Sequence, residues 1–242
     1  MGKRTLTRRG ASTLQAIGLT IGVLLIAGGA LLPVLGSLFN RSSTLSPEEQ
    51  QQLVTEYVST VGFDAFVGDS PRKGAEDPTS LIFEFSDFQC PFCAQAAPIV
   101  RELIEKRGDS VMVVYKHLPL AAIHPEAVPA ARASWAAGQQ DKFWEYHDAL
   151  FENQASLGED LYVQLAQDFG LDVDRFNQDR NSSEALSAIE ADLALANEFR
   201  FQGTPTFMVN DFIIPGVPSL EGFEQILDQF EQNAPNTSWI RL

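Results

Sequence analysis

The two cysteines of this chain are the residues whose type and spacing point most directly to chemistry. The 242 residues contain only two cysteines, and they stand in the order Cys90-Pro91-Phe92-Cys93. A pair at this spacing can pass between a dithiol and a disulfide, because a thiolate at one cysteine attacks a disulfide and the other cysteine completes the exchange. The spacing therefore predicts a redox-active pair.

The elements on either side of the pair predict where it lies. Residues 80–85 form an apolar run that indicates a buried strand, and residues 94–106 have the apolar spacing of a helix. The pair would then occupy a strand-to-helix turn, where free backbone N–H groups and the positive end of the helix dipole stabilise a thiolate. Cys90 is therefore the predicted nucleophile and Cys93 the predicted resolving thiol.

Two other uses of the cysteine pair fit the sequence less well. A structural zinc site needs four cysteine or histidine ligands, and His117, His124 and His147 show no ligand spacing with the pair. A purely structural disulfide that closes so short a loop would constrain the unfolded chain little. We therefore expect no metal, and no cofactor other than the Cys90–Cys93 disulfide.

A second motif, Gly203-Thr204-Pro205-Thr206-Phe207, resembles the Gly-x-Pro-Thr-Phe segment of thioredoxin-fold proteins. In that family the proline is cis and faces the Cys-x-x-Cys pair, and the backbone before it pairs with substrate. The order of the two motifs and the long insertion between them resemble the DsbA-like thiol oxidoreductases, particularly their membrane-anchored branch. The resemblance covers about residues 62–232 and implies an α/β thioredoxin fold with an inserted helical subdomain.

Three residues are candidates for substrate binding. The resemblance assigns Thr204 and Pro205, whereas Phe92 is assigned by its chemistry, because an aromatic side chain beside the reactive sulfur offers unfolded chains a nonspecific apolar contact. Strong oxidases of the family often have a histidine between the cysteines, which stabilises the thiolate. Phe92 supplies no such charge, so we expect an oxidant of intermediate strength.

Glu84 is the predicted proton carrier for Cys93. It stands in the otherwise apolar strand, six residues before Cys90, and DsbA-like proteins show an acidic residue at this position. Desolvation would raise its pKa and let it accept a proton near neutrality. The alternative is that strand alternation points it outward. Lys116, at the end of a second predicted strand, resembles a basic residue that can sit near this carboxylate, but a solvated strand-end lysine fits equally well.

The N-terminal segment predicts a membrane anchor. Residues 14–39 are 26 residues without a charge, which is enough to cross a bilayer, and four basic residues precede them: Lys3, Arg4, Arg8 and Arg9. The positive-inside rule places residues 1–13 in the cytoplasm and the rest outside. A cleaved signal peptide is the alternative, with small residues at 28–30, although the apolar run continues past them. Both interpretations deliver the domain to a compartment where disulfides persist.

The charge of the chain excludes one class of partner. The formal net charge is −15, and four of the 17 basic residues lie in the first nine positions, so the remainder is more acidic still. A chain of this charge does not bind nucleic acid through its phosphates.

The segments around the two motifs predict one elaborated domain. Residues 40–61 give a polar linker and a stalk helix that starts with the capping pattern Ser46-Pro47-Glu48-Glu49. We expect an edge strand at Phe63–Val67 and a loop at 68–79. Residues 207–209 and 212–214 predict a hairpin, followed by a helix and a tail at 233–242.

The long segment between the motifs predicts the inserted subdomain. Residues 118–202 contain no convincing strand, and their apolar spacing predicts helices at 126–137, 141–151, 159–169, 173–178 and 184–201. Several aromatic residues of this insertion have the spacing of a helical core rather than of a ligand site: Trp135, Phe143, Trp144, Tyr146 and Phe151.

We therefore expect a membrane-tethered, extracytoplasmic thiol-disulfide oxidoreductase that introduces disulfides into exported proteins. Its expected partners are unfolded exported chains and, by resemblance, a quinone-linked membrane oxidase of the DsbB or vitamin K epoxide reductase type. Two alternatives stay open: a reductase or isomerase kept reduced by a membrane donor, and a non-catalytic binding module or holdase that uses the surface around Phe92.

Overall fold

A five-stranded mixed sheet lies at the centre of the computed structural model, which describes residues 45–233. The strands are β1 (Arg72–Gly74), β2 (Ser80–Ser86), β3 (Val111–His117), β4 (Thr206–Val209) and β5 (Phe212–Pro215). They lie in the order β1-β3-β2-β4-β5. The pair β2 and β3 is parallel and the other neighbours are antiparallel. β2 and β3 are buried along their whole length, as their apolar runs predict.

Helices cover both faces of this sheet. In chain order they are α1 (Pro47–Val61), α2 (Phe63–Val67), α3 (Pro91–Arg107), α4 (Ala127–Gly138), α5 (Phe143–Glu152), α6 (Glu159–Asp168), α7 (Val173–Arg180), α8 (Ser183–Glu198) and α9 (Leu220–Asn233). A 3₁₀ turn at Gln154–Ser156 follows α5. The segment from α4 to α8 is the predicted helical insertion, and it joins β3 to β4.

Strand alternation divides the sheet between two cores. On one face, Ile82 and Val113 pack with residues of α3 and α9. On the other face, Phe83 and Val114 pack with residues of α1, α2 and α8. The aromatic residues of the insertion form a core, as predicted. Phe143, Tyr146 and Phe151 are buried, and Trp135 and Trp144 are partly buried against the same cluster.

The structure corrects two predictions in the segment before β2. Phe63–Val67 is a short helix rather than an edge strand, because Phe63, Phe66 and Val67 bury one side of a helical turn. The expected loop at 68–79 contains the edge strand β1, antiparallel to β3. Gly74 of β1 has φ 118°, and a Cβ there would lie 2.2 Å from the carbonyl oxygen of Val111, so this close pairing requires glycine.

The first helix packs on the domain, which the sequence left open. Val54 and Val58 of α1 are buried, and the Thr55 hydroxyl donates to the Asp211 carboxylate at 2.7 Å. The predicted capping box is present: the Glu49 N–H donates to the Ser46 hydroxyl, and the Ser46 N–H donates to the Glu49 carboxylate.

Because this box satisfies two otherwise free N–H groups, Ser46→Ala should lower the free energy of unfolding by about 1 kcal/mol. Urea denaturation of the purified domain measures the loss. Ser46→Asp keeps a capping oxygen and should remain close to the parent protein. An equal loss in both variants would mean that the hydroxyl does not act as a cap.

The predicted membrane span lies outside the described residues. So do the basic segment at 1–13, the linker before Leu45 and the tail after Asn233. Between residues 45 and 233, no helix has both the length and the apolar character needed to cross a membrane.

Candidate active site

Cys90 lies at the turn between β2 and α3, as predicted. Its backbone is extended (φ −74°, ψ 122°) and it is the N-cap of α3, with Pro91 at the first helical position, so the helix starts three residues earlier than its apolar spacing indicated. Asp87 shapes the turn, since its carboxylate accepts the Gln89 N–H at 2.7 Å and its carbonyl accepts the Cys90 N–H at 3.0 Å.

The two thiols differ in exposure in the predicted order. Both are free, Cys90 keeps 4% of its surface exposed, and Cys93 keeps none. Cys90 is less exposed than the helix-terminus argument led us to expect, because its Sγ contacts the Thr204 carbonyl oxygen at 3.3 Å. A substrate disulfide can therefore reach only a small part of the Cys90 sulfur.

The pKa values of the Cys90 and Cys93 thiols are shifted in opposite directions. The pKa of Cys90 is lowered from its ordinary value of 9.0 to about 5. The main cause is hydrogen bonding from the Cys93 thiol; the Thr204 side chain and the backbone N–H groups of Cys93 and Phe92 add to it, and burial opposes it. Burial raises the pKa of the Cys93 thiol, and the neighbouring Cys90 raises it again. The arrangement thus holds a thiolate at Cys90 and a proton at Cys93 near neutral pH.

The second motif lies against the first. The Thr204–Pro205 peptide bond is cis, as the resemblance implied, and Thr204 presents its carbonyl to the Cys90 sulfur. Pro205 itself is buried, and its carbonyl accepts the Gly216 N–H at 2.9 Å. Phe92, the third predicted substrate contact, has 57% of its surface exposed.

A loop that the sequence did not single out also borders the cysteine motif. The Asp87 carboxylate accepts the Leu120 N–H at 2.9 Å and lies 2.7 Å from His124 Nδ1, and the Glu126 N–H donates to the side chain of Gln89. These bonds fix residues 118–126 beside the turn and display Ile123, which is 70% exposed. The only local signal was an aspartate directly after a strand, which predicts a turn but not its distant partners.

A side chain of the helical insertion also binds the backbone of the cysteine motif. The Gln154 side chain donates to the carbonyls of Phe88 and Cys90, at 2.8 Å and 2.9 Å. No sequence signal pointed to Gln154, which lies 64 residues beyond Cys90. The 3₁₀ turn after α5 therefore positions the backbone that carries the nucleophile.

Glu84 is buried, which rules out the alternative that its side chain points into solvent. It has no exposed surface, and neither carboxylate oxygen has a hydrogen-bond partner among the described residues. Burial raises the pKa of Glu84 from its ordinary value of 4.5, while His147 and the Ser86 hydroxyl lower it. The same Ser86 hydroxyl lowers the pKa of Cys93, so Ser86 stands near both groups.

Lys116 does not accompany Glu84, and it is not a solvated strand-end lysine. It is 3% exposed on the opposite face of the sheet, where its Nζ lies 3.2 Å from Asp192 Oδ1 and 2.8 Å from Ser70 Oγ. The residue that β3 places opposite Glu84 is Tyr115. Strand alternation explains the difference, because neighbouring residues of a strand face opposite sides.

This arrangement supports proton and electron transfer through sulfur. It combines an acidified thiol at a helix start, a protonated thiol beneath it and a buried carboxyl group on the adjacent strand. Within residues 45–233, no group of three or more His, Cys, Asp or Glu side chains could hold a metal ion.

Comparison with known proteins shows that this chain is similar to DsbA-like thioredoxin domains. The sequence pattern of the family described as DSBA-like thioredoxin domain matches residues 81–228. The crystal structure of a thioredoxin-like oxidoreductase from Silicibacter pomeroyi DSS-3 is 29% identical, with a TM-score of 0.65 over 70% of this chain and 97% of that one.

Two more distant structures share the fold. The thiol-disulfide exchange protein alpha-DsbA2 from Wolbachia pipientis is 18% identical, with a TM-score of 0.67 over 78% of this chain and 99% of that one. The catalytic domain of Proteus mirabilis ScsC is 23% identical, with a TM-score of 0.63 over 74% of this chain and 97% of that one.

Curated relatives carry a different name. The Na(+)/H(+) antiporter NhaA 3 of Salinispora tropica is 31% identical over 223 residues, which is 83% of this chain and 34% of the relative. The Na(+)/H(+) antiporter NhaA 1 of Mycolicibacterium vanbaalenii is 37% identical over 140 residues, 57% of this chain and 23% of the relative. The chain spans about a third or less of these relatives, so their name describes a much longer protein.

Proposed function

Because this chain belongs to the DSBA-like thioredoxin domain family, we propose that it is a thiol-disulfide oxidoreductase that introduces disulfide bonds into exported proteins. Cys90 accepts the attack of a substrate thiolate on the Cys90–Cys93 disulfide, and Cys93 leaves. A second substrate thiolate then displaces Cys90, so the substrate is oxidised to a disulfide and the pair is reduced to a dithiol.

The opposed acidities of the two thiols carry this proposal. A pair acts as an oxidant when its reduced form is stabilised, and a thiolate at Cys90 stabilises that form at every pH above its pKa of about 5. Cys93, whose pKa burial raises, keeps its proton over the same range. A purely structural disulfide needs no such difference.

The groups around Cys90 fit an unfolded chain as substrate. Phe92 and Ile123 are exposed and apolar, which gives a contact that does not depend on sequence. Thr204 supplies backbone next to the sulfur with which an extended peptide can pair, whereas the Pro205 carbonyl already accepts the Gly216 N–H.

We place the reaction outside the cytoplasm, with the domain tethered by residues 14–39. The basic residues before that run and its 26 uncharged positions support a single-pass anchor. Turnover needs an acceptor for the two electrons that the pair receives, and a quinone-linked membrane oxidase of the DsbB or vitamin K epoxide reductase type would serve. No group for that step is expected in this chain beyond its two cysteines.

Two assays on the purified domain test the proposed function against its alternatives. Oxidation of a reduced, unfolded model protein by the Cys90–Cys93 disulfide should proceed rapidly, and insulin reduction with dithiothreitol should be slow. Fast insulin reduction with slow oxidation would show a reductase. Binding of the unfolded protein with neither reaction would show a holdase.

The acidity of Cys90 gives a separate prediction. Thiolate absorbance of the reduced domain should rise with a midpoint near pH 5, and glutathione titration should give a potential between roughly −270 mV and −120 mV, the range from thioredoxin to the strongest oxidases. Because the pKa of Cys90 is lowered on folding, the stability that its thiolate contributes is full above pH 9.0 and is lost as the pH falls to about 5.

Phe92→His tests whether the residue between the cysteines limits the strength of the oxidant. A histidine beside the thiolate should stabilise the reduced form and shift the potential toward oxidation. Phe92→Leu, which keeps an apolar side chain, should leave the potential unchanged. A thioredoxin-like potential in the parent protein would favour the reductase alternative.

A further inference from the structure

The buried half of the site needs a route for protons. When the Cys90–Cys93 disulfide opens, Cys93 leaves as a thiolate and must take a proton, and when the disulfide re-forms, Cys93 must release it. Cys93 and Glu84 both have no exposed surface. Glu84 can hold a proton for Cys93, but it cannot by itself exchange that proton with water.

His147 lies on the same face of the sheet as Glu84 and next to the partly exposed Asp148. It extends from α5 of the insertion toward the sheet face that carries Glu84, and its ring centroid is 5.1 Å from that of Tyr115, the residue paired with Glu84 across the strands. After burial, His147 is the strongest influence on the pKa of Glu84. His147 and Glu84 are therefore both neighbours of Tyr115 on this face of the sheet, and the imidazole acts on the charge of the carboxylate.

The two ring nitrogens of His147 face different surroundings. Nε2 is buried and has no hydrogen-bond partner among the described residues, whereas Nδ1 lies 2.9 Å from Asp148 Oδ1. The side chain of His147 is 3% exposed, and that of Asp148 is 26% exposed. The other carboxylate oxygen of Asp148 lies 3.8 Å from Nε of Arg101, whose side chain is 41% exposed. One nitrogen thus points into the core and the other toward water.

We propose that His147 passes protons between the buried Glu84 carboxyl group and Asp148 at the surface. This inference rests on the proposed function, because it supplies the proton that Cys93 takes up and releases in each cycle. His147 touches neither Cys93 nor the substrate, so it is a positioning and relay residue that acts through Glu84.

The relay balances over a full cycle. When Cys93 re-forms the disulfide, its proton passes to Glu84 and then to Nε2 of His147, and the proton on Nδ1 leaves through Asp148 to water. No hydrogen bond joins Glu84 to Nε2, so the transfer between them runs through a water that hydrogen-bonds to both buried groups. When the disulfide opens again, Asp148 returns a proton to Nδ1, Nε2 gives its proton to Glu84, and Glu84 gives one to Cys93. The second half restores the tautomer that the first half changed, so the ring does not have to rotate.

Other titratable groups face His147 from the elements packed around it. They are Glu84 of β2, Tyr115 and His117 of β3, Arg101 of α3 and Asp148 of α5 itself, with Lys73 of β1 near Asp148. Burial lowers the pKa of His117 to about 3, and both of its ring nitrogens lack a partner among the described residues. His117 therefore stays neutral and has no surface carboxylate to exchange with.

The test follows the step at Cys93 rather than overall activity. Full-length protein is converted to the mixed disulfide of Cys90 with glutathione, and its resolution by Cys93 is followed by stopped-flow fluorescence against pH, in water and in deuterium oxide. His147→Gln should slow resolution about tenfold or more and change its pH dependence. The thiolate absorbance of Cys90 should titrate as in the parent protein.

A double variant separates a relay from a packing effect. Groups that act in series are not additive, so His147→Gln with Glu84→Gln should be no slower than Glu84→Gln alone. Additive slowing, or an unchanged rate and pH profile in His147→Gln, would overturn the proposal. If His147→Gln does not fold, His147→Phe keeps the aromatic packing and should show the same slowing.

His117→Gln is the matched control, since it replaces a second buried histidine on the same face. It should resolve the mixed disulfide at the parent rate, and equal slowing by both histidine variants would overturn the assignment. This experiment needs only glutathione and the cysteine pair, so it does not depend on the protein substrate. If the parent protein fails to oxidise model substrates, the proposed function is rejected, but the role of His147 is still decided by the resolution rates.

Discussion

Cys93→Ser should accumulate mixed disulfides with substrate proteins, whereas Cys90→Ser should form none and lose thiol-disulfide exchange to background. The reason is the geometry of the pair. Cys90 begins α3, carries the lowered pKa and keeps the exposed fraction of the sulfur surface, while Cys93 has no exposure and a raised pKa. Without Cys93 the first attack still occurs, but nothing resolves its product.

Non-reducing electrophoresis of cells that express each variant measures this difference, with the double serine variant as background. Both variants should unfold cooperatively, because serine fits the space of either cysteine. Equal trapping by the two single variants would show that substrates reach both sulfurs, and the assignment of Cys90 as nucleophile would be wrong.

Glu84→Gln should slow the steps in which Cys93 gains or loses its proton by roughly a hundredfold, the lower range of general acid-base catalysis. Glutamine keeps the shape of the side chain but does not titrate. Single-turnover rates measured against pH should lose the ionisation that belongs to Glu84, while the Cys90 thiolate titration persists. Glu76→Gln, at an exposed glutamate just before β2, is the control and should match the parent protein. Parent-like rates in Glu84→Gln would refute the proton-carrier role.

The same substitution should stabilise the protein in a pH-dependent manner. Because the pKa of Glu84 is raised on folding, its protonation contributes stability below its ordinary pKa of 4.5, and this contribution is lost as the pH rises through the folded value. The free energy of unfolding of Glu84→Gln should match that of the parent near pH 4 and exceed it increasingly as the pH rises toward 8. Urea denaturation across this range measures the difference. A difference that shrinks as the pH rises would mean that the folded state stabilises the ionised carboxylate.

The parts of the site that sequence could predict are those that local chemistry fixes. Two cysteines between an apolar run and a helical pattern specify a helix start and the order of the thiols, and both are observed. The lone Glu84 in an apolar strand was expected to be buried, and it is. The hairpin after Pro205 could be predicted because its turn contains Asn210, a residue type that tolerates the positive φ of 55° observed there.

The errors have a common physical origin in patterns that fit two structures. Phe63–Val67 is five residues long, and so short an apolar run does not distinguish a strand from one turn of helix. Every position of β3 is buried, so its pattern gave no alternation from which to assign Tyr115 and Lys116 to their faces. Those faces depend on the register with β2, which only the folded sheet defines.

The missing members of the site come from the insertion. Ile123, His147 and Gln154 lie between 30 and 61 residues beyond Cys93 in sequence, and their places depend on how α5 and its neighbouring loops pack on the sheet. Packing of this kind leaves no periodic signature in the residues themselves. Aromatic spacing correctly predicted the core of the insertion, but not the polar group that this core encloses.

The edges of the sheet carry a consequence for self-association. The side-chain amide of Gln51 on α1 donates to the Asp211 carbonyl at 2.6 Å and accepts the Ile213 N–H at 3.0 Å, so it occupies one backbone group just before β5 and one within it. At the opposite edge, the Trp144 indole donates to the carbonyl of Arg72 in β1 at 3.0 Å. Free strand edges are templates on which unfolded chains assemble into intermolecular sheets. These side chains therefore leave fewer backbone groups at the two edges with which another chain could pair.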